Sequence, residues 1–356
     1  MLERLSIQHF RNLHLLELES LGAITLITGM NGSGKTSVLE AIHLLAVGRS
    51  FRSRHIRHFV EQGERYCQIV AHTNEHVLGV RKQQDGETQL RLDGQTQASH
   101  AAFAQLLPVQ LIDPESFSLI EGGSEGRRQL MDWLLFHVEP LFFRQWQHYQ
   151  RALKQRNTAL KQAASDTELS SWEWQLAELG EALHDWRLKL MPQWKEEFHQ
   201  VLAELLPECP ITMHYHPGFD VTQPLIETLV ADRVRDRDYG YTRHGAHRAD
   251  IRFKWGSESA ESRLSRGQKK MLLMALKLSQ TRLLHGSGKR SVVLLDDIGA
   301  ELDAHALLRL MESLLQLRSQ LFITTLDDNF LKECSLWSQH ASTRVALSQG
   351  RVVMPV

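Results

Sequence analysis

Eight residues, GMNGSGKT (Gly29 to Thr36), fill the pattern G-x-x-x-x-G-K-[ST] between an apolar strand and an apolar helical run. Glycines let a backbone wrap close to phosphates, so that successive N–H groups and the start of the next helix face the anion. Gly29, Met30, Asn31, Gly32, Ser33 and Gly34 would form the cradle, Lys35 would reach the β and γ phosphates, and the Thr36 hydroxyl would bind Mg²⁺. Such a metal needs a carboxylate as well. In SVVLLDDIGAELD an apolar strand after Ser291 delivers Asp296 at its carboxyl end, where it is expected to hold Mg²⁺ through water. Asp297 follows at once, where a base or water-positioning group is wanted. Read alone, the two aspartates are a strand end meeting solvent. QLFITTLDD repeats the pattern of apolar strand and polar tip, so Thr324 or Thr325 is a candidate γ-phosphate sensor or a plain strand cap. RLSRGQKKMLLMALKL sets Ser265, Gly267 and Gln268 at a helix start, where free N–H groups and a serine hydroxyl make an anion site without side-chain charge.

These residues require strands and helices in a definite order. The first third reads as strands at Leu2 to His9 and Leu13 to Glu19, then AITLIT leading into the phosphate loop and SVLEAIHLLAV as the helix after it. The last hundred residues alternate helix and strand, which implies a parallel sheet. Between them the strand signals fade. Trp133, Trp146, Trp172, Trp174, Trp186 and Trp194 all fall there. Phe142, Trp146, Tyr149 and Leu153 alternate fours and threes, and after ASDTELS the rhythm resumes at Leu169, Trp172, Leu176, Leu179, Leu183, Trp186 and Leu190. That spacing predicts an antiparallel helical hairpin with a coiled-coil seam, its second helix roughly 50 Å long with a kink at Pro192. The expected fold is α/β. Both chain ends, 1–123 and 207–356, would build one P-loop head, and 124–206 would be an inserted helical arm.

Composition excludes several classes. With 42% hydrophobic and 23% charged residues among 356, the chain is an ordinary globular sequence. A net charge of −1 gives no whole-molecule attraction to polyanions, so any nucleic acid must meet a local patch. Cys67, Cys209 and Cys334 form neither a C-x-x-C pair nor an even framework, which suits reduced thiols in a cytoplasmic protein. No export signal or membrane anchor is expected, as no run approaches the roughly 20 apolar residues a bilayer crossing needs. The patch that could meet DNA is Arg49, Arg52, Arg54 and Arg57 with His55 and His58, supplemented by Arg127 and Arg128; its alternative reading is a solvated face or internal ion pairs. DRVRDRDYGYTRHGAHRAD alternates in sign and reads first as intramolecular salt bridges.

A P-loop followed by a Ser-x-Gly-Gln helix start and an acidic strand resembles the ATP-binding-cassette head. In that family the Ser and Gly bind the γ-phosphate of ATP held by a second subunit. QHFRNL, GRSFRSRHIRHFV, LIDPESF with GGSEGRR, GAHRADI and LSRGQKK are similar to segments of the RecF family of head ATPases, in matching order from residue 8 to about 330. One departure is Ala246, where the family usually has proline. The resemblance implies nucleotide contacts from Arg11 and Asn12 and a metal or water contact from Gln110. It also implies ATP and Mg²⁺ as cofactors, an ATP-dependent homodimer, and slow, DNA-stimulated hydrolysis acting as a timer. The partners it implies are single-stranded and duplex DNA at gaps, with RecO and RecR, in loading a recombinase during recombinational repair, replication restart and SOS induction near the nucleoid. A different class, the energising subunit of a membrane transporter or another cassette ATPase, is the alternative. The long helical insertion and the threonine in place of a switch histidine argue against the transporter. A long-arm chromosome protein would need a longer arm, and an ATP-coupled nuclease a further cluster of metal-binding acids.

Overall fold

The alternating N-terminal segments form an antiparallel pair, β1 (Leu2–Phe10) and β2 (Leu13–Leu18), in a computed structural model. It describes residues 1–353 apart from Arg54, Pro114, Glu115, Phe117, Ile298, Ala300, Glu301, Arg318, 327–339 and Ala341. They belong to a six-stranded sheet in the order β2-β1-β4-β5-β6-β7, completed by β4 (Tyr66–Thr73), β5 (Val77–Gln83), β6 (Thr88–Leu92) and β7 (Gln95–Thr96). A second six-stranded sheet carries the phosphate loop. Its order is β15-β14-β3-β13-β12-β8, with β3 (Ile24–Thr28), β8 (Val109–Ile112), β12 (Val292–Leu295), β13 (Gln320–Thr325), β14 (Ser342–Ser348) and β15 (Arg351–Val353). All its pairings are parallel except that of the edge strand β15. β3, β8, β12 and β13 are mostly apolar and buried along nearly their whole length, as strands covered on both faces are. α1 (Lys35–Val47) contacts strands of both sheets, and its buried residues lie all around its axis, as a helix between two layers requires. The short α2 (Ala101–Leu106) packs on α1.

The two chain ends share one unit, Met1–Phe117 with Met274–Val356. The other unit is Ser118–Leu273, larger than the insertion expected over 124–206. Residues 207–273 group with the helices instead of the head. The strands within 207–273 make their own three-stranded sheet from β9 (Ile211–His216), β10 (Asp250–Trp255) and β11 (Glu258–Ser259). Against β10 packs α4 (Ser124–Val138), which follows the short α3 (Ser118–Glu121).

Within this second unit α5 (Phe142–Lys161) and α6 (Asp166–Leu205) form the expected hairpin. Arg156 meets Glu173 near the turn and Gln145 accepts from Trp186 farther along, so the two run antiparallel. α6 has 40 residues, about 60 Å at 1.5 Å each, and stays helical through Pro192. Its start is a capping box in which Ser165 and Glu168 satisfy each other's backbone N–H. The seam differs from the expected one. Leu169, Leu176, Leu183 and Leu190 are buried, whereas Trp172, Leu179 and Trp186 are half-buried and Glu173 and Arg187 take inward positions. Gly180 allows α5 to approach, since a Cβ there would lie 3.2 Å from the Tyr149 ring and 2.8 Å from Leu225. The chain continues through α7 (Leu225–Ala231), α8 (Arg233–Tyr239) and α9 (Ala260–Arg263). α10 (Arg266–Gly286) begins in this unit and, from Met274, belongs to the first; α11 (Ala304–Leu315) links β12 to β13.

Candidate nucleotide site

Register places the chemistry at one edge of the parallel sheet. Thr28, the last residue of β3, lies opposite Thr325, and Leu295, the last of β12, lies opposite Ile323. The phosphate loop, the polar tip of β13 and Asp296 therefore meet at the carboxyl ends of adjacent strands, where open α/β sheets bind ligands. A cavity of about 850 Å³ opens there, lined by Asn31–Ser37 on one side and by Asp297, Arg52 and Arg57 among others.

The loop is built for backbone contact. Gly29 has φ 152°, and a Cβ there would lie 2.3 Å from the Leu347 carbonyl on β14, so only glycine fits the close approach. α1 starts on Lys-Thr-Ser with Gly34 as an N-cap that has no side chain, which leaves its first N–H groups directed at the cavity rather than capped internally. Lys35 Nζ lies along the loop, donating to the carbonyls of Gly29 at 2.6 Å and Met30 at 3.2 Å. Burial holds its pKa below the usual lysine value, opposed by the nearby Asp297 and Asp296 carboxylates.

Thr36 Oγ1 donates to Asp296 Oδ1 at 3.0 Å, and Thr324 Oγ1 donates to the same oxygen at 2.7 Å. Asp296 is 7% exposed, and burial raises its pKa although both threonine hydroxyls pull it down. The neighbouring Asp113 and Asp297 carboxylates add to the effect of burial. Thr36 and Asp296 thus present an all-oxygen pair of the kind a hard Mg²⁺ takes. Thr324 is fully buried and accepts from the Asp297 N–H at 2.9 Å, so it positions the two aspartates, while Thr325 is also buried. Asp297 itself has φ 47°, a left-handed conformation rare outside glycine, and lines the cavity. Sequence reading missed Asp113, which follows β8, is 5% exposed and adds to the raising of Asp296. Nothing local marks it, because β8 becomes the neighbour of β12 only on folding.

The Ser265 segment forms a capping box. Ser265 Oγ accepts from the Gln268 N–H at 3.3 Å, and Gln268 Oε1 accepts from the Ser265 N–H at 3.0 Å. Ser265, Arg266 and Gly267 are exposed, so the hydroxyl and the first turn of α10 face solvent.

The description "RecF/RecN/SMC N terminal domain" matches residues 1–349 of the chain. The chain is 48% identical over 326 residues to the DNA replication and repair protein RecF of Acinetobacter baylyi, covering 91% of each. The chain belongs to the RecF family. The Pseudomonas syringae pv. syringae RecF is 39% identical over 99% of this chain and 97% of that protein. Among solved structures, a RecF described as an ATP-bound recombination mediator of the RecFOR pathway superposes with a TM-score of 0.86 at 24% identity, covering 100% of this chain and 97% of that one. An Smc head bound to the winged-helix domain of ScpA superposes at 0.63 and 16%, covering 99% and 96%. These last two show a shared fold.

In this RecF-family chain several expected contacts are used otherwise. Arg11 donates to the buried Glu40 of α1 at 3.0 and 2.6 Å and to the His58 carbonyl, so it fastens the cavity wall while its edge lines the cavity. Asn12 donates to the Gly32 carbonyl at 2.9 Å and accepts from Ser37 at 2.9 Å, which clamps the loop. Gln110 is buried, and its amide nitrogen donates toward the Lys277 carbonyl and Gln280 of α10 at 3.4 and 3.2 Å. Its position is inside β8, short of the strand end that Asp113 occupies. Arg127 is 7% exposed and bonded to Asp250 at 2.8 and 3.1 Å, so it serves the fold and is no DNA contact. Arg128 is half-buried, and its Nη1 donates to Ser124 and to the Ala249 carbonyl. Arg49, Arg52 and Arg57 are exposed, the last two at the nucleotide cavity, and Arg54 lies outside the described residues. The turn Ala246–Arg248 forms despite the alanine, its first carbonyl accepting from Arg187 at 2.7 Å. Among the described residues no helix is long and apolar enough to cross a membrane.

Proposed function

We propose that this chain is an ATP-gated DNA-binding protein of recombinational repair and replication restart at gapped DNA, working as an ATP-dependent homodimer. The observation that supports it best is the hydrogen-bonded set Thr36–Asp296–Thr324 beneath the phosphate loop, in a chain whose family relatives are DNA replication and repair proteins. The cradle of Gly29 to Lys35 would hold the triphosphate of ATP. Thr36 and Asp296 would hold Mg²⁺, which neutralises phosphate charge and orients the γ-phosphoryl group. Asp297, fixed by Thr324, would orient the attacking water. Aspartate is one methylene shorter than the glutamate that cassette ATPases commonly place there, so turnover would be slow, and hydrolysis would time the release of DNA.

In this reading the exposed Ser265, Gly267 and first turn of α10 of one copy bind the γ-phosphate held by the other. Arg49, Arg52 and Arg57 would contribute sequence-independent phosphate contacts to DNA that weaken with salt. RecO and RecR, the pathway partners implied by the family, would cooperate in loading a recombinase, in the cytoplasm. Light scattering with ATP tests the dimer. Ser265→Asp keeps an N-cap acceptor, so the helix start survives, but sets a negative charge against the γ-phosphate. The wild type is expected to dimerise with ATP and the variant to stay monomeric. Equal dimerisation of both contradicts the proposal.

A further inference from the structure

Away from the nucleotide cavity, two histidines and two glutamates converge. His9 is the penultimate residue of β1, His14 the second of β2, and Glu61 and Glu64 follow the helical turn Ile56–His58, yet one nitrogen or oxygen from each lies within 4.8 Å of all the others. Glu61 Oε2 sits between two imidazoles, 2.8 Å from His9 Nδ1 and 3.0 Å from His14 Nδ1, and Glu64 Oε1 is 3.8 Å from His9 Nδ1. His9 is 8% exposed and holds φ 53°, an uncommon conformation for a residue with a side chain.

We propose that His9, His14, Glu61 and Glu64 form a binding site for a divalent transition metal of the zinc type. Imidazole and carboxylate together suit Zn²⁺, whose bonds of about 2.0–2.1 Å in a tetrahedral arrangement place donor atoms about 3.4 Å apart. Closing from 4.8 Å therefore needs a contraction of about 1.4 Å in the widest pair, within reach of side-chain rotations. Coordination through Nδ1 moves the His9 ring proton to Nε2. Gln8, whose side-chain nitrogen is 3.1 Å from that atom, can accept it through its amide oxygen after a flip, the outer-shell bond that metal-bound histidines normally make. The site would tie the β1–β2 turn to the 59–64 segment, where Glu61 N–H already donates to the His9 carbonyl at 2.9 Å. Val60, Gln62 and Gly63 of that segment line the nucleotide cavity, so the metal would stiffen one of its walls.

The test uses the full-length chain, stripped by chelation and titrated with Zn²⁺ without nucleotide. One Zn²⁺ per chain is expected, and the Co²⁺-loaded protein should show the intense visible absorption of a four-coordinate site. His14→Ala and Glu61→Gln should each weaken Zn²⁺ binding at least about tenfold, since even an outer-shell partner is worth 10–100-fold. The His14 side chain is 62% exposed, so its removal does not threaten folding. His76→Ala, which removes a different histidine paired with Asp93 at 2.8 Å, should leave binding unchanged. Sub-stoichiometric binding by the wild type, binding that survives both site variants, or an equal loss in His76→Ala overturns the proposal.

Discussion

Two sets of buried carboxylates in this molecule are treated in opposite ways. In the helical unit Glu173 and Asp236 are fully enclosed, and each is bonded to the equally buried Arg156, at 3.1 and 2.7 Å, with Arg233 adding a second guanidinium to Glu173 at 2.6 Å. At the phosphate loop Asp296 is almost as buried, but its partners are the hydroxyls of Thr36 and Thr324. The first arrangement neutralises charge and is complete within the chain. The second leaves a carboxylate whose charge is compensated by nothing closer than hydroxyls, and its pKa is accordingly raised. A buried charge of that kind costs stability and is the state in which a metal ion is most strongly favoured. The difference separates residues that hold the fold from residues that serve chemistry.

Substitutions at the two places should diverge. Arg156→Ala removes the guanidinium shared by two buried carboxylates, leaving Glu173 to Arg233 and Asp236 to Arg243, and should cost about 3–5 kcal/mol in denaturant unfolding, the largest effect expected. A loss under 1 kcal/mol would mean that the pairs are not the support described. Thr324→Val leaves the Asp297 N–H without its acceptor and removes one donor from Asp296, for about 1–3 kcal/mol. Asp296→Asn should cost least. With the folded pKa above the ordinary 3.8, the folded state binds the proton more tightly than the unfolded one, so stability falls as pH rises from 3.8 through the raised value. Above the raised value the wild type bears that cost, and there the asparagine variant is expected to be at least as stable while losing ATP hydrolysis. An asparagine variant clearly less stable there would place Asp296 with Glu173 and Asp236 as a structural group.

Residues whose partners are near in sequence were legible, and those with distant partners were not. The strand, loop and helix around Gly29–Thr36, the Asp296 strand end and the α5–α6 hairpin follow from short patterns of apolar spacing and turn residues. Arg127 looked like a surface cation because its carboxylate, Asp250, lies 123 positions away, and Gln110 finds Gln280 across 170. The seam of α6 was misread at Glu173 and Arg187 for the same reason, since a charge can occupy an inward position only when a remote partner, Arg156 or Asp132, meets it. The strands of 207–273 were visible, but their assignment depends on which sheet they join, and that is settled by pairing between β9 and β10. The capping box at Ser265 was readable as a helix start, and its exposure needed the structure.

The central claim is that the Ser265 turn of one copy completes the ATP site of another, and mixing two variants tests it most directly. Lys35→Ala disables the phosphate loop and Ser265→Asp disables the helix start. With ATP each alone should remain monomeric in light scattering. Mixed in equal amounts they should form dimers, because a heterodimer joins the intact Lys35 of one chain to the intact Ser265 of the other. A mixture that stays monomeric while the wild type dimerises, or either variant dimerising alone as the wild type does, would contradict the account.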